Sequence, residues 1–102
     1  MIRHIVLTRF RYDVDESTIA DICSGLAAVA DRLDGAHDFA GGPSNSPEDL
    51  ERGYTHGFTI DFDDHAALAA YADDPEHQAL GSQLVANAEG GRNGLLVVDL
   101  EF

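Results

Sequence analysis

Residues 2–10, IRHIVLTRF, decide the fold, because both alternating rows of this segment contain apolar side chains. One row includes His4 and Val6, and the other places Ile5 and Leu7 between two arginines. Successive side chains of a β-strand point to opposite faces of its sheet. A strand that is apolar in both rows is expected to be covered on both faces.

The remaining segments predict the order β-α-β-β-α-β. Helical spacing of apolar residues, clean alternation and turn residues each mark one kind of element. The predicted elements are a helix from Glu16 to Leu33, a short strand at 36–41, a loop at 41–53, a strand at 54–62, a helix after Asp63 or Asp64 that Asp74-Pro75 interrupts, a further helix at 76–88 and a last strand at 95–102. The interruption is expected because a residue before proline is disfavoured in the α region.

This order is that of a ferredoxin-like α+β domain, a four-stranded antiparallel sheet with its helices on one face. The length of 102 residues predicts a single domain, residues 1–102. The rows Arg3/Ile5/Leu7 and Leu95/Val97 are predicted to face away from the helices, and they are too apolar for open water. The prediction is therefore a homodimer in which a second sheet covers that face.

The charge of the chain excludes several classes of partner. Acidic residues number 19 against 6 basic ones, and the net charge is −13. A field of this sign repels phosphate backbones and anionic lipids, so neither nucleic acid nor a membrane is a predicted partner. No apolar run approaches the roughly 20 residues of a membrane span, and neither a signal peptide nor a disulfide is indicated. The protein is expected to be cytoplasmic.

Four stretches resemble the stress-responsive dimeric α/β-barrel (Dabb) family: IRHIVLTRF, GGPSNSPEDLERGYTHGF, FDDHAALAAYADDPEHQAL and LLVVDLEF. They cover nearly the whole chain, and RGYTHGF followed by AYADDPEHQ is the most specific combination. The resemblance implies a homodimer whose two sheets close into a barrel. Most members have no assigned activity. The best understood enzyme of the family, olivetolic acid cyclase, is a plant polyketide cyclase that closes a β-keto thioester by an aldol step without a redox cofactor.

The resemblance also implies a set of site residues. His77 falls at the position of the catalytic histidine of the cyclase, a general base, and Tyr71 falls at that of the tyrosine that holds the reacting chain. His4 and His56 fall on two further pocket histidines, and Phe58 shares the row of His56. Family members often have a histidine immediately before the proline, and this chain has Asp74 there. The cyclase pocket is built for a long alkyl tail, whereas the first helix of this chain is alanine-rich and smaller.

These residue types suit proton transfer to and from a carbonyl compound. A histidine with a pKa near 6.5 can act as a base, and a tyrosine hydroxyl can stabilise an oxyanion. The alternative is structural, with His77 capping a helix and Tyr71 filling the core. A zinc site of His4, His56 and His77 is disfavoured because their spacing is no metal signature, so neither metal nor cofactor is predicted.

Three functions stay open at this point. The first is a small cofactor-independent enzyme, a polyketide-cyclase-like lyase acting on a polyketide-like or aromatic carbonyl compound bound within each subunit. The second is a non-catalytic, stress-responsive dimer that binds a small molecule in the same pocket. The third is a cofactor-free monooxygenase, which is less favoured because related monooxygenases usually have a tryptophan and this chain has none. Arg52 is either a guide for an anionic substrate or a surface charge.

Overall fold

The chain forms a four-stranded antiparallel sheet covered by helices on one face, in a computed structural model that describes residues 1–102. Its elements are β1 (Ile2–Thr8), α1 (Glu16–Arg32), β2 (Ala36–Pro43), β3 (His56–Phe62), α2 (His65–Asp73), α3 (Pro75–Asn87), a single 3-10 turn (Gly91–Gly94) and β4 (Leu95–Glu101). The strand order is β2-β3-β1-β4, with antiparallel pairing between all neighbours. The predicted ferredoxin-like fold is confirmed.

An aspartate immediately precedes each of the three α-helices and caps it. The carboxylates of Asp15, Asp64 and Asp74 each accept a hydrogen bond from the backbone N–H three residues later, at 2.9 to 3.0 Å. Such caps satisfy one of the free N–H groups at a helix start. Pro75 occupies the first turn of α3, where the N–H that proline lacks has no helical partner anyway. The predicted break between α2 and α3 is therefore confirmed.

The core lies between the helices and the adjacent face of the sheet, here called the inner face. Fully buried side chains from β1, β3, α1 and α2 meet there, and Leu84 of α3 completes the cluster. The main contributors are Ile2, Val6, Phe58, Ile60, Phe62, Ile22, Leu26, Val29 and Tyr71. Close packing of these groups fixes the two helices that carry the predicted site against the sheet.

The opposite face, here called the outer face, carries Ile5 and Leu7 as predicted, but the prediction for β4 was wrong by one residue. Val97 pairs with Val6 of the inner row, so Leu95 and Val97 lie on the inner side. The outer row of β4 consists of Leu96, Val98 and Leu100, which are 45%, 39% and 51% exposed. The error arises because the LLVV segment is apolar in both rows, so its own pattern does not specify a face.

Two further boundaries differ from the prediction. β2 extends to Pro43, and β3 begins at His56 rather than at Tyr54. The segment between β2 and β3 contains turns and no helix. None of the helices has both the length and the apolar character that crossing a membrane requires.

Candidate functional site

A cluster of four polar side chains crosses the inner face at one end of the core. It consists of His4 on β1, Asp99 on β4, Tyr71 in α2 and His77 in α3. The β1–β4 register places His4 directly opposite Asp99. Their side chains meet with 2.6 Å between the imidazole Nδ1 and a carboxylate oxygen. The imidazole is 11% exposed and the carboxylate 39% exposed, so this pair connects the core to solvent.

Aromatic rings surround the buried end of this pair. The His4 ring lies edge-on to Tyr71 and Phe62, with centroid distances of 5.7 and 6.1 Å, and tilted to Phe58 at 6.3 Å. A polar ring in such surroundings costs free energy unless it is hydrogen-bonded. The contact with Asp99 supplies that bond and fixes the orientation of the imidazole.

Tyr71 and His77 face each other across the break between α2 and α3. Their ring centroids are 3.9 Å apart, and Tyr71 is 1% exposed. The Tyr71 hydroxyl and the His77 Nδ1 are both buried, and neither has a hydrogen-bond partner. Buried polar atoms nearly always have partners in folded proteins. Each of these two atoms is therefore a candidate to bind a third group.

The protonation of this pair follows from its burial. Burial raises the pKa of Tyr71 far above its ordinary value of 10.0, and the negative charge of Asp74 acts in the same direction. Burial also lowers the pKa of His77 below 6.5, against smaller opposing effects of the neighbouring backbone. Near neutral pH the pair is therefore a neutral imidazole beside a protonated phenol. That combination offers one proton acceptor and one hydrogen-bond donor.

The helix break itself is tied to α1. Both oxygens of the Asp74 carboxylate accept from the Arg32 guanidinium at 2.9 Å, and one of them also accepts from the His77 backbone N–H at 3.0 Å. The Asp74 side chain is 9% exposed and the Arg32 side chain 45%, so the ion pair is partly shielded from solvent. The contact holds the first turn of α3, and with it His77, in a defined position.

The structure separates His56 from the other predicted site residues. His56 pairs with Thr8, whereas His4 pairs with Ile60, so the two histidines lie four residues apart along the sheet, about 13 Å. His56 packs edge-on against Phe10 at 5.7 Å, and burial lowers its pKa. Phe58 lies between the two ends in the core.

The enclosed interior of the subunit holds little free space, and the larger grooves beside α1, of about 330 and 220 Å³, are open to solvent and reach His56 rather than Tyr71 or His77. A cavity of about 10 Å³ lies between α1 and the sheet, beside His56 and Phe58. Such a volume accommodates no more than about one water molecule. The three histidines considered for zinc do not converge, and no other group of three His, Cys, Asp or Glu side chains is arranged to hold a metal ion.

Residues 2–102 match the family model described as Stress responsive A/B Barrel Domain. The chain belongs to this family. Among the relatives of this A/B barrel protein, the stress-response A/B barrel domain-containing protein HS1 of Arabidopsis thaliana is 28% identical over 98 residues, which are 96% of this chain and 86% of HS1. The recognition of the family from its sequence motifs is confirmed.

Solved structures agree with this membership. A dimeric ferredoxin-like protein of unknown function from Jannaschia sp. CCS1 is 37% identical, with a TM-score of 0.93 over 99% of this chain and 98% of that one. The hydroxynitrile lyase from Passiflora edulis is 19% identical, with a TM-score of 0.84 over 97% of this chain and 90% of that one. At that identity the likeness concerns the fold alone.

Asp99 is the one residue of the four-residue polar cluster that the sequence of this A/B barrel protein did not predict. The available signal was its place in LLVVDLEF, where an acidic residue interrupts an apolar strand. Such a residue is expected to be paired if it faces the core. Its partner depends on the register between the first and the last strand, which no local pattern contains.

Proposed function

We propose that this A/B barrel protein is a cofactor-independent acid–base catalyst, an aldol-cyclase-like lyase acting on a polyketide-like or aromatic carbonyl compound. His77 is the general base and the Tyr71 hydroxyl is the donor that binds the developing oxyanion. One observation carries the proposal: the hydroxyl and the Nδ1 are both buried and without a partner, on rings 3.9 Å apart. A substrate carrying a carbonyl and an acidic C–H would satisfy both atoms.

The reaction needs no group beyond these two. The neutral His77 removes a proton from the carbon between two carbonyls, and the resulting enolate carbon forms a bond to the carbonyl carbon at the far end of the chain. The negative charge moves to that carbonyl oxygen, where the Tyr71 hydroxyl donates a hydrogen bond. Protonated His77 then returns its proton to this oxygen, so the enzyme ends in its starting state. The raised pKa of Tyr71 keeps its proton in place throughout.

Access to this pair is expected from the side of β4. The helices leave the inner row of that strand uncovered, since Val97 is 53% exposed. His4 and Asp99 lie between this opening and the Tyr71 ring. The cavity under α1 is too small for a substrate, so a ligand in this proposal lies over β4 and reaches inward past the His4–Asp99 pair.

The proposal includes a homodimer joined through the outer face. Ile5 and Leu7 with the outer row of β4 form one apolar surface, and such surfaces in soluble proteins are typical of interfaces. The structural neighbour from Jannaschia is described as dimeric, at 37% identity over nearly the whole chain. The Passiflora protein is named a hydroxynitrile lyase, so this fold accommodates a lyase in at least one protein.

The test combines turnover of a β-keto thioester mimic with thermal shift in the presence of the same compound. Wild type, His77→Ala and Tyr71→Phe are compared with His65→Ala, a control because His65 is 80% exposed at the start of α2. We expect His77→Ala to lose turnover by at least about 100-fold and His65→Ala to match wild type. Equal turnover in wild type and His77→Ala would exclude the proposed base.

A non-catalytic binding dimer is the second candidate, favoured because the family and its relative HS1 are described by stress response and not by a reaction. A bound ligand raises the unfolding midpoint by mass action whether or not it reacts. Thermal shift without turnover, lost in Tyr71→Phe, would therefore assign this cluster to binding alone.

A further inference from the structure

The polar cluster has a closed inner end, formed by two phenylalanines of β3. His4 pairs with Ile60, and Phe58 and Phe62 are the inner-row residues on either side of Ile60. Their rings lie 6.3 and 6.1 Å from the His4 ring, measured between centroids. Phe58 is 7% exposed and Phe62 is fully buried. A substrate that enters over β4 and passes His4 therefore ends against these two rings.

The two rings differ in what lies behind them. Phe58 lines the cavity of about 10 Å³ between α1 and the sheet, which extends from this ring toward His56. Phe62 lies at the opposite end of β3 from His56, does not line that cavity, and packs on the Tyr71 ring at 5.2 Å. A smaller residue at position 58 would therefore join the cavity to the polar cluster, whereas a smaller residue at position 62 would not.

The Phe58 ring is held in a fixed position by its neighbours. Phe39 of β2 stacks on it, with 5.6 Å between the centroids and 19° between the ring planes. Val6, which pairs with Phe58 across β1 and β3, is 4% exposed, and Leu84 of α3 is 7% exposed on the wall of the same cavity. A ring packed in this way cannot move aside without losing these contacts. Phe58 is therefore a fixed wall between the polar cluster and the free space beside α1.

We propose that Phe58 determines which substrates the polar cluster accepts, and that the inner end of the substrate is a methyl group, as in a methyl β-diketone. One carbonyl oxygen accepts from the Tyr71 hydroxyl, and the carbon between the two carbonyls faces His77. Any longer part of the molecule lies over β4. This inference rests on the proposed function, because it concerns the same site, and it adds the class of substrate.

The test compares two isomers, nonane-2,4-dione and nonane-4,6-dione, by isothermal titration calorimetry of the full chain. The isomers have the same atoms, but only nonane-2,4-dione has a methyl group beside a carbonyl, whereas nonane-4,6-dione has a propyl group on both sides. We expect wild type to bind nonane-2,4-dione at least about tenfold more tightly, because a single methylene group changes the affinity of an apolar pocket by about that factor.

Phe58→Val should reduce this preference to less than about threefold, because the opened cavity accepts the propyl group. Phe62→Val is the matched control, since it makes the same change in the same row of the same strand without a cavity behind it. It should keep the preference of wild type. The preference is a ratio within one variant, so a general loss of stability does not alter it. Phe58→Leu, a smaller change, decides the question if Phe58→Val does not fold, and it should also lower the ratio.

Four results would overturn this inference: no binding of either isomer, equal affinity of wild type for both, an unchanged preference in the Phe58 variants, or an equal change in Phe58→Val and Phe62→Val. Turnover judges the proposed function separately. A preference lost in Phe58→Val, with equal turnover in wild type and His77→Ala, would keep the inference and exclude the base. Turnover that depends on His77, without any preference between the isomers, would keep the base and exclude the role of Phe58.

Discussion

Each face of the sheet departs in one respect from the usual distribution of polar and apolar groups. The inner face is covered by helices, yet it holds His4 and Thr8 among the core residues and the half-buried His56 beside them. The outer face is open, yet its β4 row is Leu96, Val98 and Leu100. A sheet with one solvated face ordinarily shows polar residues outside and apolar ones inside.

These two departures separate two roles of the sheet. Polar groups in a core cost free energy unless they are hydrogen-bonded, so a cluster of them there is typical of a functional site. A row of exposed apolar side chains on a sheet is typical of a surface that another protein molecule covers. The inner face is accordingly interpreted as the place of chemistry and the outer face as the place of assembly.

The largest expected effect is on the inner face, at Tyr71. Tyr71→Ala should lower the free energy of unfolding by about 3–5 kcal/mol, because it leaves a cavity in the core. Tyr71→Phe should change it by less than about 1 kcal/mol, because the deleted hydroxyl has no partner. Urea denaturation of both variants measures this. If the phenylalanine variant were as unstable as the alanine variant, the hydroxyl would be a structural group and the inner-face site would lose its donor.

The second effect concerns the outer face. Val98→Asp should raise the dimer dissociation constant by at least about 100-fold, because it places a charge in the apolar surface. Val97→Asp is the matched control, since Val97 is the neighbouring residue on the inner side of the strand. Light scattering over a dilution series gives the molar mass of each. A dimer lost in Val97→Asp and kept in Val98→Asp would reverse the assignment of the two faces.

A smaller effect is expected at the helix break. Asp74→Ala removes the cap of α3 and the partner of Arg32, and it should cost about 1–2 kcal/mol in unfolding free energy and also reduce turnover. Asp64→Ala removes a comparable cap that has no arginine partner, so it should cost about 1 kcal/mol and leave turnover unchanged. Equal turnover in both variants would show that Asp74 does not position His77.

The smallest effect is the dependence of stability on pH. Burial lowers the folded-state pKa of both His77 and His56, so below about pH 6.5 the unfolded chain binds protons that the folded chain does not. The free energy of unfolding should therefore fall as the pH drops below 6.5, by at most about 1.4 kcal/mol per pH unit for each histidine. Urea midpoints between pH 5 and pH 8 measure the slope.

His77→Gln should flatten this slope in part. A slope identical in wild type and His77→Gln would show that His77 is protonated equally in the folded and unfolded chain.

Much of the fold was predictable because its signals are local. The alternation of residues 54–62, the stripe of α1 and the Asp74-Pro75 pair each determine an element within a few residues. The Asp74-Pro75 pair also predicted that the second helix of the β-α-β-β-α-β order is divided into two helices, α2 and α3. The roles of Tyr71 and His77 came from the resemblance and remain proposals, although their placement across the break is observed at 3.9 Å.

The sequence by itself determined the order of the elements, the inner row of β1 and the presence of more apolar surface than one subunit can cover. Only the tertiary structure decided that Asp99 pairs with His4, that Arg32 holds Asp74, and that Val98 rather than Val97 faces outward. The physical reason is that periodicity is a property of neighbouring residues, whereas these contacts depend on strand register and helix packing between segments far apart in the chain. In LLVV, where both rows are apolar, the pairing with β1 supplies the information that the pattern lacks.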